Sequence, residues 1–263
     1  MARQNKIGLS FDFEECDLPR EAGVDFPIEA GMKVSVEGAN LVLDILERQQ
    51  VKATFFCTLN FAERAPEVMR RIIAGGHEIA AHGVDHFHQI PEDPFRSKAG
   101  LEKLYAVKVY GYRQPRMFPV DEAALAAAGF EYNSSLNPAF VPGRYMHLTT
   151  PRTIFEKGGL KQIPASVTPW VRFPLFWLAL HLLPEKLYHL LVRRTLKHDG
   201  YFVTYFHPWE FSSSLAARAD ELKVPALVKR KLGAAMGERL ERLIQNFKEE
   251  KFVSLRELLE QNS

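Results

Sequence analysis

Cysteine is nearly absent from this 263-residue chain: only Cys16 and Cys57 occur, the second inside the apolar run 53–59. Two thiols make no disulfide framework, so a reducing compartment is the simpler expectation, and a thiol in such a run serves as a small core hydrophobe. An excess of one charge is lacking too. Lys and Arg number 34 and Asp and Glu 32, a net charge of +2, too balanced to hold a nucleic acid by its phosphates. Residues 1–6 run straight into the apolar segment 7–11 with no basic stretch followed by a long apolar one. No secretory signal is therefore expected, and the chain is placed in the cytoplasm. A long hydrophobic run is also missing. The segment 169–191 is dense in Phe, Trp and Leu, but Arg172, Pro174, His181, Pro184, Glu185, Lys186 and His189 interrupt it, and a membrane span needs roughly 20 largely apolar residues. A buried or groove-lining helix pair is the plainer expectation. Trp170, Trp177 and Tyr188 among basic residues also suit a peripheral contact with the inner membrane face through residues 170–191.

What is present is an ordinary globular composition, 46% hydrophobic and 25% charged, at a length that an α/β barrel fills as one domain. Short β-rich runs alternate with helical spacing. Strands are expected at 6–12, 52–57, 78–81, 110–113, 130–133, 161–163, 201–206 and 252–254. Helices are expected at 37–48, 66–74, 97–106, 120–127, 184–197 and 224–248. This alternation predicts a mainly parallel sheet covered by helices, in a single domain over 1–263 with no repeat, linker or low-complexity segment. Periodicity leaves an open sheet and a closed barrel equally allowed. In both, residues at strand ends converge on one face, and Asp12, His82, Arg113, Asn133 and His207 all fall there.

The first strand ends in Asp12-Phe-Glu-Glu15. Side chains alternate along a strand, so Asp12 and Glu14 share a face and Glu15 points away unless the strand has already ended. Neighbouring carboxylates repel unless a cation lies between them. A second cluster, residues 76–88, holds four of the nine histidines. His82 and His86, four apart, would share a face of one helical turn at chelating distance. With an acidic strand end beside them they suggest a two-histidine, one-carboxylate site, which leaves positions open for water and substrate. A metalloprotease helix is excluded, because Gly83 stands where the base Glu would be. Arg113 at a strand end before Pro115 is weakly informative alone. His207 closes the apolar run 201–206 and is an acid candidate if it reaches the same mouth.

Taken in order, the acids after the first strand, His-x-x-x-His, Arg-x-Pro and the late strand ending in His-Pro-Trp-Glu at 207–210 resemble the polysaccharide deacetylase family. This is carbohydrate esterase family four, or the NodB-homology domain, in its group without a signal peptide. The flanking stretches 52–56 and 76–79 fit as well. The resemblance implies an irregular (β/α)7 barrel with mainly parallel strands, and a metal-dependent hydrolase removing an N-acetyl group from a carbohydrate or glycan precursor. By position, Asp12 corresponds to the general base, Glu14, His82 and His86 to the ligands of one divalent ion, and His207 to the general acid. Zinc is the first expectation for the ion, with cobalt, manganese, nickel or iron also compatible. Arg113 would line the groove and keep Asp12 ionised. Trp209, Pro115, Arg116 and Asn133 would contact substrate, and a backbone N–H near Arg116 would hold the oxyanion. The substrate expected of a cytoplasmic member is a lipid- or nucleotide-linked sugar. The alternatives are a small cyclic amide hydrolysed in the same site, or an inactive carbohydrate-binding protein.

Three departures stand out. Phe13 separates Asp12 from the next acid where the family commonly has adjacent aspartates, leaving Glu14 or Glu15 as ligand. Asn133 stands where related chains often carry Asp; if it neighboured His207, the His207 pKa would be lowered relative to a carboxylate-paired one. Arg116 adds a cation that would suit an anionic substrate group.

Overall fold

The computed structural model describes residues 4–141 and 145–260, with the backbone alone at 145 and 146. Residues 1–3, 142–144 and 261–263 of the expected domain lie outside the described residues. Along the chain the strands are β1 (Lys6–Phe13), β2 (Thr54–Cys57), β3 (Glu78–Ala81), β4 (Gly111–Tyr112), β5 (Tyr132–Asn133), β6 (Phe140–Val141), β7 (Tyr145–Met146), β8 (Phe155–Lys157), β9 (Leu160–Gln162), β10 (Tyr201–Phe206) and β11 (Lys251–Phe252). Nine of them form one curled sheet in the order β10-β1-β2-β3-β4-β5-β9-β8, with β11 added to β1, while β6 and β7 pair separately. All pairings in the main sheet are parallel except β8 with β9.

β1 is buried along its whole length, as a strand covered on both faces must be. Its alternation divides two interiors. Ile7, Leu9, Phe11 and Phe13 join the core under the helices, while the residues between them face the inside of the curl. The inner core, including Phe56, Ala80, Tyr132 and Val203, is closed at the strand N-termini by Val253, Leu255 and Leu258. Gly8 makes room for this plug, because a Cβ there would stand 2.6 Å from Leu255. β2 joins β1 only from Ser10 onward, and β11 takes the earlier part of that edge at Lys6 and Ile7.

The ring is completed by irregular chain. After β9, Ile163 N–H donates to the Asn133 carbonyl at 2.8 Å and Ser166 N–H to the Val203 carbonyl at 2.8 Å. Seven parallel strands in succession, β10 through β9, and this bridging segment make the irregular barrel that the resemblance implied.

The helix Ile28–Gln49 begins nine residues before the expected start. It packs closely on the turn after β10, where a Cβ on Gly38 would run into the Pro208 carbonyl. The helix expected over 224–248 is two, Ala226–Lys229 and Ala234–Asn246. Gly233 breaks it at φ 66°, and its N–H is taken by the Glu210 carbonyl at 2.8 Å. β8 was not expected; its residues are half-buried or exposed, so no alternation marks them. The segment 169–191 yields Trp177–Leu182 and the start of Glu185–Asp199. No helix among the described residues is long and apolar enough to cross a membrane.

Candidate active site

At the C-terminal mouth of the barrel, β1 delivers Asp12 and Glu14 on one face, with Phe13 turned into the core. Arg113, completely buried, donates from Nη1 to Asp12 Oδ1 at 2.6 Å. Its other nitrogens hold the Ser134 carbonyl at 3.0 Å and Oγ at 2.9 Å, and its guanidinium lies 4.0 Å from the Phe56 ring centre. Burial pushes the Asp12 carboxyl up, but the charges of Arg113, His82 and His207 and the Arg113 hydrogen bond together outweigh it and hold Asp12 below the usual carboxylate range. Arg113 therefore does not line the groove, as expected from sequence; it sits behind Asp12.

His82 and His86 reach Glu14 from two sides. Each Nε2 lies 3.1 Å from Glu14 Oε2. The opposite ring nitrogens are tied outward. His82 Nδ1 is 2.8 Å from the Arg113 carbonyl, which can only accept, so the proton sits on Nδ1 and the Nε2 lone pair faces inward. His86 Nδ1 donates to Asp17 Oδ2 at 2.8 Å. The helical turn expected for the pair is absent, since residues 82–88 form a loop. Gly83 turns the chain at φ 76°, and Asp85 Oδ1 accepts from the Phe87 and His88 N–H groups at 2.6 Å each. That loop, and not a helix, brings both imidazoles together. Glu15 faces the other way, accepting from Thr58 Oγ1 at 3.0 Å and His86 N–H at 3.3 Å.

One donor atom each from Glu14, His82 and His86 lies within 4.8 Å of the others. Burial pushes Glu14 up to about 8 and His82 down to about 4, because it penalises the charged form of each. Burial alone would lower His86 too, but the carboxylates of Glu14 and Asp17 raise it. Three inward-facing donors, with outer nitrogens fixed by a carbonyl and a carboxylate, fit a divalent cation.

Across the mouth, β10 ends at His207. Its Nδ1 donates to Glu210 Oε1 at 3.0 Å, which leaves Nε2 toward the cleft, 4.0 Å from Asp12 Oδ2. Glu210 is fully buried and its second oxygen takes His181 Nε2 at 2.9 Å. Burial works against a charged His207, yet Glu210 and the other carboxylates nearby raise it above the ordinary histidine value. The two histidines likewise hold Glu210 low against its burial. Trp209 stacks on His207 at 5.2 Å, and Trp177 meets it edge-on at 5.4 Å.

Asn133 is not the partner of His207. Its amide donates to Gln162 Oε1 at 2.9 Å and its oxygen accepts from Ser135; Glu210 is the carboxylate on His207, so the lowered His207 pKa that an Asn133 neighbour would have produced gives way to a raised one. Arg116 stands at the cleft rim with its charge engaged by Asp17 at 2.7 Å and by Glu21, so it braces the His86 partner more than it offers a free cation. Pro115 is buried against Gly83; Met117, Phe118 and Pro119 of the same loop reach the cleft instead. The cleft holds about 820 Å³ between these residues, the carboxylates and the two tryptophans. A lobe of about 310 Å³, bounded by Asn133 and Phe155, shares Met117, Phe118, Pro119 and His147 with it. Asp17, Glu210, His181 and Trp177 are the site members that pattern reading did not assign. Only Glu210 had a local sign, an acid three residues after His207.

Comparison with known proteins agrees with this geometry. Residues 24–133 match the family model of polysaccharide deacetylases, and residues 134–260 match a domain of unknown function, DUF3473. The boundary falls at the end of β5, inside the continuous sheet. The first model includes His82, His86 and Arg113, the acids of β1 precede it, and His207 lies in the second. A chitooligosaccharide deacetylase of Bradyrhizobium sp. (strain ANU 289) is 44% identical over 45 residues, 17% of this chain. The chain spans about a fifth of the length of the curated relatives it matches. A Mycobacterium smegmatis protein assigned as a polysaccharide deacetylase superposes with TM-score 0.66 at 20% identity, over 98% of this chain and 90% of its own. The PuuE allantoinase superposes with TM-score 0.59 at 13% identity, over 96% and 88%. These two likenesses concern the fold. From the first long helix through β5 the chain is thus similar to the polysaccharide deacetylase family, and its barrel is shared along nearly the full length with the two solved structures.

Proposed function

We propose that the protein hydrolyses the N-acetyl group of an amino sugar in a glycan or oligosaccharide, with one divalent ion at Glu14, His82 and His86. The observation that carries this reading is the juxtaposition of two differently tuned groups, a low-pKa Asp12 and a raised His207, across the mouth from that donor set. Pairs of groups whose environments push their pKa values apart mark acid and base roles. A bound divalent ion, zinc first among the compatible ones, supplies Lewis-acid polarisation of the acyl carbonyl and a lowered pKa for water.

The chain's own groups do the rest. Arg113 keeps Asp12 ionised and occupies Oδ1, leaving Oδ2 to accept a proton from the attacking water. His207, protonated through Glu210, delivers a proton from Nε2 to the departing amine, which would otherwise leave poorly. Trp177 and Trp209 wall His207 with apolar surface and keep bulk water from its proton. The size of the cleft, and the neighbouring pocket that shares Met117, Phe118 and Pro119 with it, favour an extended sugar substrate over a small cyclic amide.

Elemental analysis with an acetate-release assay on N-acetylated chitooligosaccharides tests the proposal. About one divalent ion per chain is expected, lost in His82→Ala/His86→Ala together with acetate release. A wild type that takes up no zinc, cobalt or manganese on reconstitution would remove the mechanism.

A further inference from the structure

One exposed feature has no part in this chemistry. Between Val167 and Pro174, which bridge as an antiparallel pair, the chain makes a tight loop. Thr168 N–H donates to the Phe173 carbonyl at 2.9 Å, and Phe173 N–H to Thr168 Oγ1 at 2.9 Å. Arg172 turns at φ 50° and anchors the loop through Nη1 to the Thr150 carbonyl at 2.6 Å. The tip so held out carries Trp170 and Val171, 85% and 80% exposed, more than any other large apolar side chain among the described residues. Burying such a pair in the protein would have been favourable, so its fixed projection calls for a partner.

Beside the tip runs a groove of about 740 Å³ along the helix Glu185–Asp199, floored by Phe173, Leu183, Leu187 and Leu191. Its end beside the tip is cationic: Arg194 and Lys197 line it with His198, which meets the Trp170 ring edge-on at 5.5 Å. Acidic side chains close by are already matched, Asp199 with Arg152 and Glu185 with Arg242. Arg194 and Lys197 have no ion-pair partner among the described residues, and no carboxylate lines the groove.

We propose that this face docks on an anionic lipid surface, with Trp170 and Val171 entering the headgroup–acyl boundary and Arg194 and Lys197 meeting lipid phosphates. A projecting Trp beside unpaired cations matches the chemistry of an interface in which an amphipathic ring lies among charged headgroups. A second protein would more readily cover a flat apolar face than a raised tip. The same loop continues through Phe176, stacked on Tyr205 at 5.6 Å, to Trp177 in the cleft wall. Docking therefore holds the cleft within a few residues of the lipid surface.

The test is co-sedimentation of the full chain with phosphatidylcholine vesicles, with and without phosphatidylglycerol, and no glycan present. Binding at least ~tenfold tighter to the anionic vesicles is expected, weakened by salt. It is expected to be lost in Trp170→Ser/Val171→Ser and reduced ~tenfold or more in Arg194→Glu/Lys197→Glu. A Trp fluorescence blue shift on binding should vanish in Trp170→Phe, which keeps the apolar tip. Thermal midpoints within a degree or two of wild type would show both double variants folded. Wild type staying in the supernatant with both vesicle types would overturn the proposal, as would full binding by the folded tip variant. Sedimentation velocity showing a concentration-dependent dimer that the tip variant abolishes, with no vesicle binding, would assign the face to a second copy.

Discussion

The two histidine corners of the mouth use the same residue types in different arrangements. At Glu14 the carboxylate stands on the Nε2 side of His82 and His86, and the Nδ1 atoms are tied back to a carbonyl and to Asp17. At Glu210 the carboxylate stands behind His207 on Nδ1 and leaves Nε2 to the cleft. Burial keeps His82 neutral, down to about 4, so its lone pair is a donor. Glu210 keeps His207 above an ordinary histidine, so its proton is available. Between His82 and His207 it is the group behind Nδ1, a backbone carbonyl or a carboxylate, that separates an electron-pair donor from a proton carrier; His86, with Asp17 on Nδ1, shares the carboxylate arrangement and a raised pKa.

The sharpest way to break the comparison is to remove one corner and leave the other. His207→Ala should lower acetate release by ~10²–10⁴-fold while the metal content stays at that of wild type; loss of both together would show that the corners are not separable. Asp12→Asn should give a similar loss of rate. It also leaves Arg113 buried without its counter-charge, at about 3–5 kcal/mol of stability, readable as a lowered denaturation midpoint. Glu210→Gln should cost less, roughly 10–100-fold in kcat. It carries a signature in pH: a proton-donating His207 loses function as pH rises through its pKa, so without the Glu210 charge the alkaline limb of kcat should move to lower pH. An unmoved limb would mean that Glu210 only packs the turn. Asp17→Asn should weaken metal binding by about tenfold, measured by competition with a chelating dye. The lost orientation of His86 is partly offset there, because the proton a metal must displace is held less tightly. Smallest of all, Glu15→Gln should leave metal content unchanged and cost on the order of 1 kcal/mol, which would separate it from its neighbour Glu14.

Much of the barrel was legible because its strands are short, apolar and punctuated. β3, β10 and the helix Pro66–Ala74 stand where expected, each bounded by Gly, Pro or a polar residue that local rules can read. The break at Gly233 was not legible, because it serves a hydrogen bond to Glu210, distant in sequence. β8 was not, because a hairpin edge with exposed side chains has no hydrophobic period. In the site, strand alternation at Asp12 and Glu14 was readable from local geometry. The spacing of His82 and His86 suggested that the two imidazoles meet, as they do, but on a helical turn where the structure has a loop. Asp17 and His181 left no trace in the sequence, since their roles exist only when the folded chain brings them to His86 and Glu210.

The pairing of β1 carries a consequence for how such a chain comes to be made. Its edges are taken by residues 201–206 on one side and by residues 54–57 and 251–252 on the other, so the strand bearing Asp12 is made long before one of its two neighbours and is enclosed late. Closure over so long a separation is slow, and an apolar strand waiting for its neighbours is a hazard for wrong association. The mouth therefore acquires its chemistry only after β10 and His207 have been made and have closed on β1.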